Sequence, residues 1–339
     1  MTAVGVVGAG SWGTAVARLL GTKGFAVRLW ARRSEVATAL NTTRHNPAYL
    51  RDVELPPDVV ATTDVSEAVA SADAVVVATP SQAVRDAACA MASDLPRATP
   101  VISLAKGIER STGLRMTQVL EKVLGNRGRI AALSGPNHAE EVSKDVPSAT
   151  VVAAYDEAVG MMFQDLFATP FFRVYTNPDV VGVELCGASK NVIAVAAGIT
   201  DGLGYGDNTK ATIMTRGLAE MARLGTHLGA NPLTFMGLAG VGDLIATCTS
   251  KHSRNRGLGE HVARGGTIES YAAETHMVAE GAYSCVSVDE LAHSAGVEVP
   301  ITHLVRAILY GGAHVSDACE LLMGRAVKDE LHGMGLVDD

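Results

Sequence analysis

Apolar positions change their period midway along the chain. Up to about residue 178, short runs of Val, Ile and Ala recur at 4–7, 26–31, 59–62, 74–78, 101–104, 130–133, 149–154 and 172–175. Each is short and rich in β-branched residues, and reads as a strand. Segments of helical character lie between them, at 11–20, from Ser34 to about 41, after Asp64, and at 82–95 and 114–124. Ser34 and Asp64 are expected to cap the helices that follow them. Strands that are apolar on both faces and alternate with helices predict a parallel sheet between helical layers. Beyond Asn177-Pro178 only helical runs are found, at 180–199, 209–228, 278–295 and 317–324. The expected organisation is two domains: an α/β domain over residues 1–178, then an all-α domain over 179–339.

The first strand runs directly into Gly8-Ala9-Gly10-Ser11-Trp12-Gly13. A G-x-G-x-x-G spacing between a strand and a helix is a dinucleotide fingerprint. Gly8 permits the tight turn, Gly10 lets the backbone approach a pyrophosphate, and Gly13 lets helix and strand pack closely. The first domain is therefore expected to be Rossmann-type, with a mostly parallel sheet. At the end of the second strand, NAD-binding chains usually carry Asp or Glu for the ribose hydroxyls. Here the sequence is Ala31-Arg32-Arg33, with no carboxylate. Two guanidinium groups suit a 2′-phosphate, so NADP is expected in preference to NAD. The alternative is a solvated Arg pair at a turn.

Composition narrows the picture further. A net charge of −8 over 339 residues argues against a nucleic-acid partner, which would need a basic face. An anionic ligand must then be held by a few placed Lys and Arg side chains. The five cysteines are scattered, with no C-x-x-C pair, and suggest reduced thiols and a cytoplasmic location. The first strand starts almost at once, leaving no room for a signal peptide, and no apolar run is read as reaching the ~18 residues of a membrane span. The ten histidines show no ligand spacing, so no metal site is expected.

Three clusters can carry chemistry. Lys106 follows a strand in Ser103-Leu104-Ala105-Lys106-Gly107, at the sheet edge where ligands of such folds bind. Lys190 sits in Glu184-Leu185-Cys186-Gly187-Ala188-Ser189-Lys190-Asn191, within an otherwise apolar helix. Such a Lys either snorkels its amine to water or is buried as a general acid or base, and the pattern favours snorkelling. The third cluster is Gly240-Val241-Gly242-Asp243-Leu244, then Thr247, then Ser253-Arg254-Asn255-Arg256. Asp243 and Thr247 share a face if this stretch is helical. Ser253 can cap a helix whose start, bearing Arg254 and Asn255, suits a phosphate. A capped basic helix on the surface fits equally well.

Taken together, the clusters resemble the bacterial NAD(P)-dependent glycerol-3-phosphate dehydrogenase family. The resemblance runs nearly the whole length. It includes the glycine turn, Lys106-Gly107-Ile108-Glu109, Leu133-Ser134-Gly135-Pro136, Gly187-Ala188-Ser189-Lys190-Asn191, the Asp243 and Ser253 clusters and Val278-Ala279-Glu280-Gly281. It implies reversible reduction of dihydroxyacetone phosphate to sn-glycerol 3-phosphate for phospholipid synthesis. It also implies that Lys190 is the proton donor, with Lys106 and Asp243 assisting. Lys106, Gly135, Asn137, Lys190, Asp243, Ser253, Arg254 and Asn255 match the family's substrate contacts. Ser11, Trp12, Arg32, Arg33, Tyr49, Lys106, Ala139, Arg254, Val278 and Glu280 match its cofactor contacts, beside Gly8, Gly10 and Gly13 of the fingerprint. One departure is Asn137-His138, where the family commonly has Ser or Thr followed by an apolar or aromatic residue. Asn still donates and accepts hydrogen bonds. The alternatives are a hydroxy-acid or sugar-phosphate dehydrogenase of the same plan, or a nucleotide sensor without turnover. Oligomeric state is left open, with a homodimer one option.

Overall fold

The computed structural model describes residues 2–275, 278–324, 326 and 330. Two compact units emerge. One takes the chain up to Lys106 and again over Leu114–Val180; the other takes Gly107–Gly113 and the chain from Val181 onward.

The first unit is built on eight strands: Ala3–Val7 (β1), Ala26–Trp30 (β2), Val59–Thr62 (β3), Ala74–Val77 (β4), Val101–Ser103 (β5), Ile130–Ser134 (β6), Ser148–Ala154 (β7) and Phe172–Asn177 (β8). They lie in the order β3-β2-β1-β4-β5-β6-β7-β8. Every neighbouring pair is parallel except β6 and β7. The exception follows from the connection. Only the short helix Ala139–Val142 separates β6 from β7, too little for the crossover that a parallel pair requires. The helix Glu157–Phe167 supplies such a crossover between β7 and β8.

Alternation along β4 shows why the strands are apolar throughout. Ala74 and Val76 pack on one face with Leu20, Leu133 and Phe163. Val75 and Val77 pack on the other with Met91, Val119 and Leu120. Each fully buried Val contributes about 1.5–3 kcal/mol relative to exposure. Strand order reverses between β1 and β4, so the switch point of the sheet lies beside the glycine turn.

Local signals are obeyed with two corrections. Asp64 caps the helix Val65–Val69 by accepting from the Ser66 N–H. Ser34 does not cap; Arg33 holds the extended N-cap position and Ser34 is the first helical residue. The run expected as one helix at 82–95 begins as a 3₁₀ turn, Ser81–Ala83, and is α-helical over Val84–Met91.

The second unit is helical around Val180–Gly202. Ile108, from the Gly107–Gly113 excursion, is fully buried there with Leu185, Ala188, Leu224 and Val288. The Pro300–Tyr310 helix was not read from the sequence, although Pro at its start and buried Ile301, Leu304 and Val305 mark it. The helix Val180–Gly202 also corrects the membrane expectation. Its length and hydropathy would suffice for a span, but 94% of its most apolar window is buried inside the protein. It is a core helix.

Candidate active site

At the carboxyl end of β1, the helix Ser11–Thr22 starts from Gly10 with no side chain capping it. A Cβ at Gly13 would lie 1.8 Å from the Gly8 carbonyl oxygen. Gly8, at φ +119°, is confined less tightly: a Cβ there would lie 2.9 Å from the Ala78 carbonyl oxygen. A Cβ at Gly10 would meet nothing within 4 Å. The turn is packed on its inner side and open on its outer side. Backbone N–H groups at a helix start, carrying the positive end of the dipole and open to approach, suit a pyrophosphate. These residues, with Ser11 and Trp12, fit a dinucleotide cofactor.

Arg32 and Arg33 follow β2 and are exposed, with the Arg33 Nε 3.6 Å from the Glu35 carboxylate. The helix Ser34–Thr42 behind them also starts without a side-chain cap. Tyr49 lies in the loop before β3, half-buried, its N–H donating to the Asn46 side chain at 3.1 Å.

Lys106 extends its Nζ to the turn after β6, donating to the Gly135 carbonyl at 2.9 Å and Asn137 Oδ1 at 2.8 Å. Asn137 Nδ2 donates to Thr150 Oγ1 at 3.0 Å, and Thr150 donates onward to the Ser134 carbonyl. The Asn137 amide thus both donates and accepts. Ala139 is buried at the start of the short helix that follows.

In the second unit Lys190 is buried, at 5% exposure, which overturns the snorkelling expectation. Its Nζ donates to Asp243 Oδ1 at 3.0 Å and to Thr247 Oγ1 at 2.6 Å. Thr247 in turn donates to Asp243 Oδ1 at 3.2 Å. A π-helical turn, Leu238–Gly242, leads into the helix Asp243–Thr249 and sets both acceptors on one buried face. π turns of this kind often mark functional sites. With Thr247 donating to the carboxylate, its lone pair is available to the amine, so two acceptors converge on one Nζ. Cys248, beside them, is pushed up to about 12 by burial and stays a thiol.

Ser253 caps the helix Arg254–Ala263 by accepting from the Arg256 N–H, as its position implied. Asn255 is buried behind this cap. Its Nδ2 donates to Asn191 Oδ1 at 2.8 Å and its Oδ1 accepts from the Gly281 N–H at 2.8 Å. It thereby ties the residue after Lys190 to the residue after Glu280. Close approach makes this possible: a Cβ at Gly259 would lie 2.1 Å from the Val195 carbonyl. Arg254 is exposed. Arg256 points elsewhere and bonds Asp201 at 2.6 Å and Glu260 at 2.8 Å. Val278 is exposed, and Glu280 opens the helix Glu280–Ala295.

The structure thus joins Lys190 to Asp243, Lys106 to Gly135 and Asn137, and Asn255 to the neighbourhood of Lys190 and Glu280. Thr247 stands in the sequence-defined Asp243 cluster without a role of its own, and Asn46 stands outside every cluster. The i+4 spacing from Asp243 pointed to Thr247; an Asn before Pro47 was the only mark of Asn46.

Two family models match the chain: NAD-dependent glycerol-3-phosphate dehydrogenase N-terminus over residues 3–160, and its C-terminus over 179–320. A glycerol-3-phosphate dehydrogenase [NAD(P)+] of Moorella thermoacetica is 50% identical over 328 residues, covering 97% of each chain. One from Chlorobium limicola is 48% identical over 332 residues, covering 97% of this chain and 99% of its own. The crystal structure of a Coxiella burnetii glycerol-3-phosphate dehydrogenase superposes with a TM-score of 0.92 at 33% identity, covering 96% and 99%. A ketopantoate reductase from Ralstonia eutropha, at 20% identity and TM-score 0.60 over 91% and 98%, shares the fold alone.

Proposed function

The chain belongs to the NAD-dependent glycerol-3-phosphate dehydrogenase family, and we propose that it interconverts dihydroxyacetone phosphate and sn-glycerol 3-phosphate with Lys190 as the acid and base. The observation that carries this is the buried Lys190 amine on Asp243 and Thr247. NADPH or NADH, when bound, supplies the hydride. As charge develops on the substrate oxygen, the Lys190 ammonium gives it a proton, and solvent restores the ammonium afterwards. Asp243 and Thr247 hold the amine in place while the proton leaves.

Most of the cofactor's contacts are assigned to residues 1–178, and the acid to 179–339. Gly8, Gly10, Ser11, Trp12 and Gly13 receive the pyrophosphate, and Arg32 and Arg33 a 2′-phosphate, which makes NADP the preferred form. Tyr49, Ala139, Val278 and Glu280 are further cofactor contacts in this reading. Ser253, Arg254 and Asn255 bind the substrate phosphate, and its binding energy positions the ketone. Lys106, held by Gly135 and Asn137, stabilises the developing oxyanion. A cytoplasmic role feeding glycerophospholipid synthesis follows from this reaction, and light scattering of the purified chain tests for a homodimer.

The test is oxidation of NADPH and of NADH with dihydroxyacetone phosphate and, separately, with 2-keto acids. Turnover with the phosphoketone and faster saturation by NADPH are expected. Turnover with keto acids alone would overturn the substrate, and oxidation of neither coenzyme would overturn the reaction.

A further inference from the structure

Asn46 is a buried polar residue with no exposed surface, and its side chain is fully used. Its Nδ2 donates to the Ala9 carbonyl at 3.0 Å and to Thr14 Oγ1 at 2.9 Å. Its Oδ1 accepts from the N–H groups of Ala48 at 3.0 Å and Tyr49 at 3.1 Å. Two donors and two acceptors are the whole capacity of an amide. One end grips the glycine turn: Ala9 stands between Gly8 and Gly10, and Thr14 lies in the first helix. The other end grips the backbone that carries Tyr49.

The rest of this loop is fixed by other means. Arg44 donates to the carbonyls of Leu55 at 3.1 Å, Pro56, and Val59 at 2.9 Å. His45 pairs with Glu54 in an isolated bridge. Asn46 thus links the loop to the dinucleotide turn, and Arg44 links it to β3.

We propose that Asn46 is a positioning residue for the cofactor, holding Tyr49 in register with the glycine turn so that the loop need not be ordered when the dinucleotide binds. The proposal rests on the reading that Tyr49 touches the cofactor. Asn46 itself touches only protein.

NADPH affinity is measured by quenching of protein fluorescence in the absence of substrate, alongside thermal melts. Asn46→Ala is expected to weaken NADPH at least about fivefold, the worth of roughly one neutral hydrogen bond. Asn46→Ser, which is neutral and keeps one polar atom in the site, serves where the Ala variant fails to fold. In a Tyr49→Ala background either change is expected to add less than about twofold. Arg44→Ala loosens the other anchor and is expected to lower the melting temperature with Kd within about twofold of wild type. An unchanged Kd in the Asn46 variants would overturn the proposal. So would full additivity with Tyr49→Ala, or an equal loss of affinity in Arg44→Ala. An unchanged Kd in Tyr49→Ala alone would instead overturn the assignment of Tyr49 to the cofactor, a distinguishable result that removes the basis of the proposal too.

Discussion

The glycine turn and the Lys190 cluster satisfy their polar groups by opposite means. At the turn the working groups are backbone N–H groups, left open by a helix that starts at Gly10 with no side-chain cap. At Lys190 they are side chains closed onto one another, with Asp243 and Thr247 lying 53 and 57 positions along the chain. A backbone site loses one contact at a time, because strand and helix hold the remainder. A buried side-chain network fails as a whole, because each missing partner leaves a charge or hydroxyl stranded in a medium that penalises it. The first kind of site should respond to substitution mainly through cofactor affinity. The second should respond through turnover and stability together.

The sharpest way to break this comparison is Lys190→Met, which keeps the stem and drops the amine. Turnover with dihydroxyacetone phosphate is expected to fall by ~10²–10⁴, the range for a general acid. NADPH binding, followed by fluorescence, should be nearly unchanged. A folded variant with turnover within a fewfold of wild type would remove Lys190 from the chemistry.

Asp243→Ala comes next. It strands the Lys190 ammonium at 5% exposure, and breaking a buried pair costs about 3–5 kcal/mol. Urea unfolding of this variant and of the double variant Lys190→Met/Asp243→Ala measures the coupling. The double variant is expected to be the more stable of the two. Equal stability would mean that the amine finds water when its partner is gone.

At the other site, replacing Arg32 and Arg33 with Ala is expected to raise KM for NADPH by the worth of charged hydrogen bonds. That is about 1.5–3 kcal/mol each, and less at these exposed positions, where water compensates. KM for NADH should move little. Equal losses for both coenzymes would place these arginines outside the 2′-phosphate site.

The smallest effect sharpens the comparison away from both sites. Glu220 is buried and accepts from the N–H groups of Ile301 and Thr302 and from the Thr302 hydroxyl, capping the Pro300–Tyr310 helix. Burial nonetheless raises its pKa, outweighing those donors. The folded state then holds a proton that the unfolded state has released. Its stabilising contribution is full below the unfolded value and is lost as pH rises through the folded one. Glu220→Gln should therefore flatten the fall in unfolding free energy above the ordinary glutamate range, although it lowers stability overall by spoiling one cap bond. An unchanged slope in urea melts at several pH values would show that Glu220 does not titrate there.

The sequence by itself determined what depends on neighbours along the chain. Runs such as Ala74–Val77 specify strands because a chain buried on both faces needs apolar residues at every position. Gly8, Gly10 and Gly13 specify the turn because backbone reach is a local property. The four-residue step from Asp243 to Thr247 put both on one face before any partner was known. Tertiary structure decided the rest. The burial of Ile108 in the second unit's core and the choice of Asp243 for Lys190 both depend on packing. The physical reason is that periodicity encodes which face is buried, not what the buried polar group will meet. A Lys in an apolar helix satisfies its amine equally well with water or with a carboxylate. Only the helix Asp243–Thr249, brought alongside by packing, determines which.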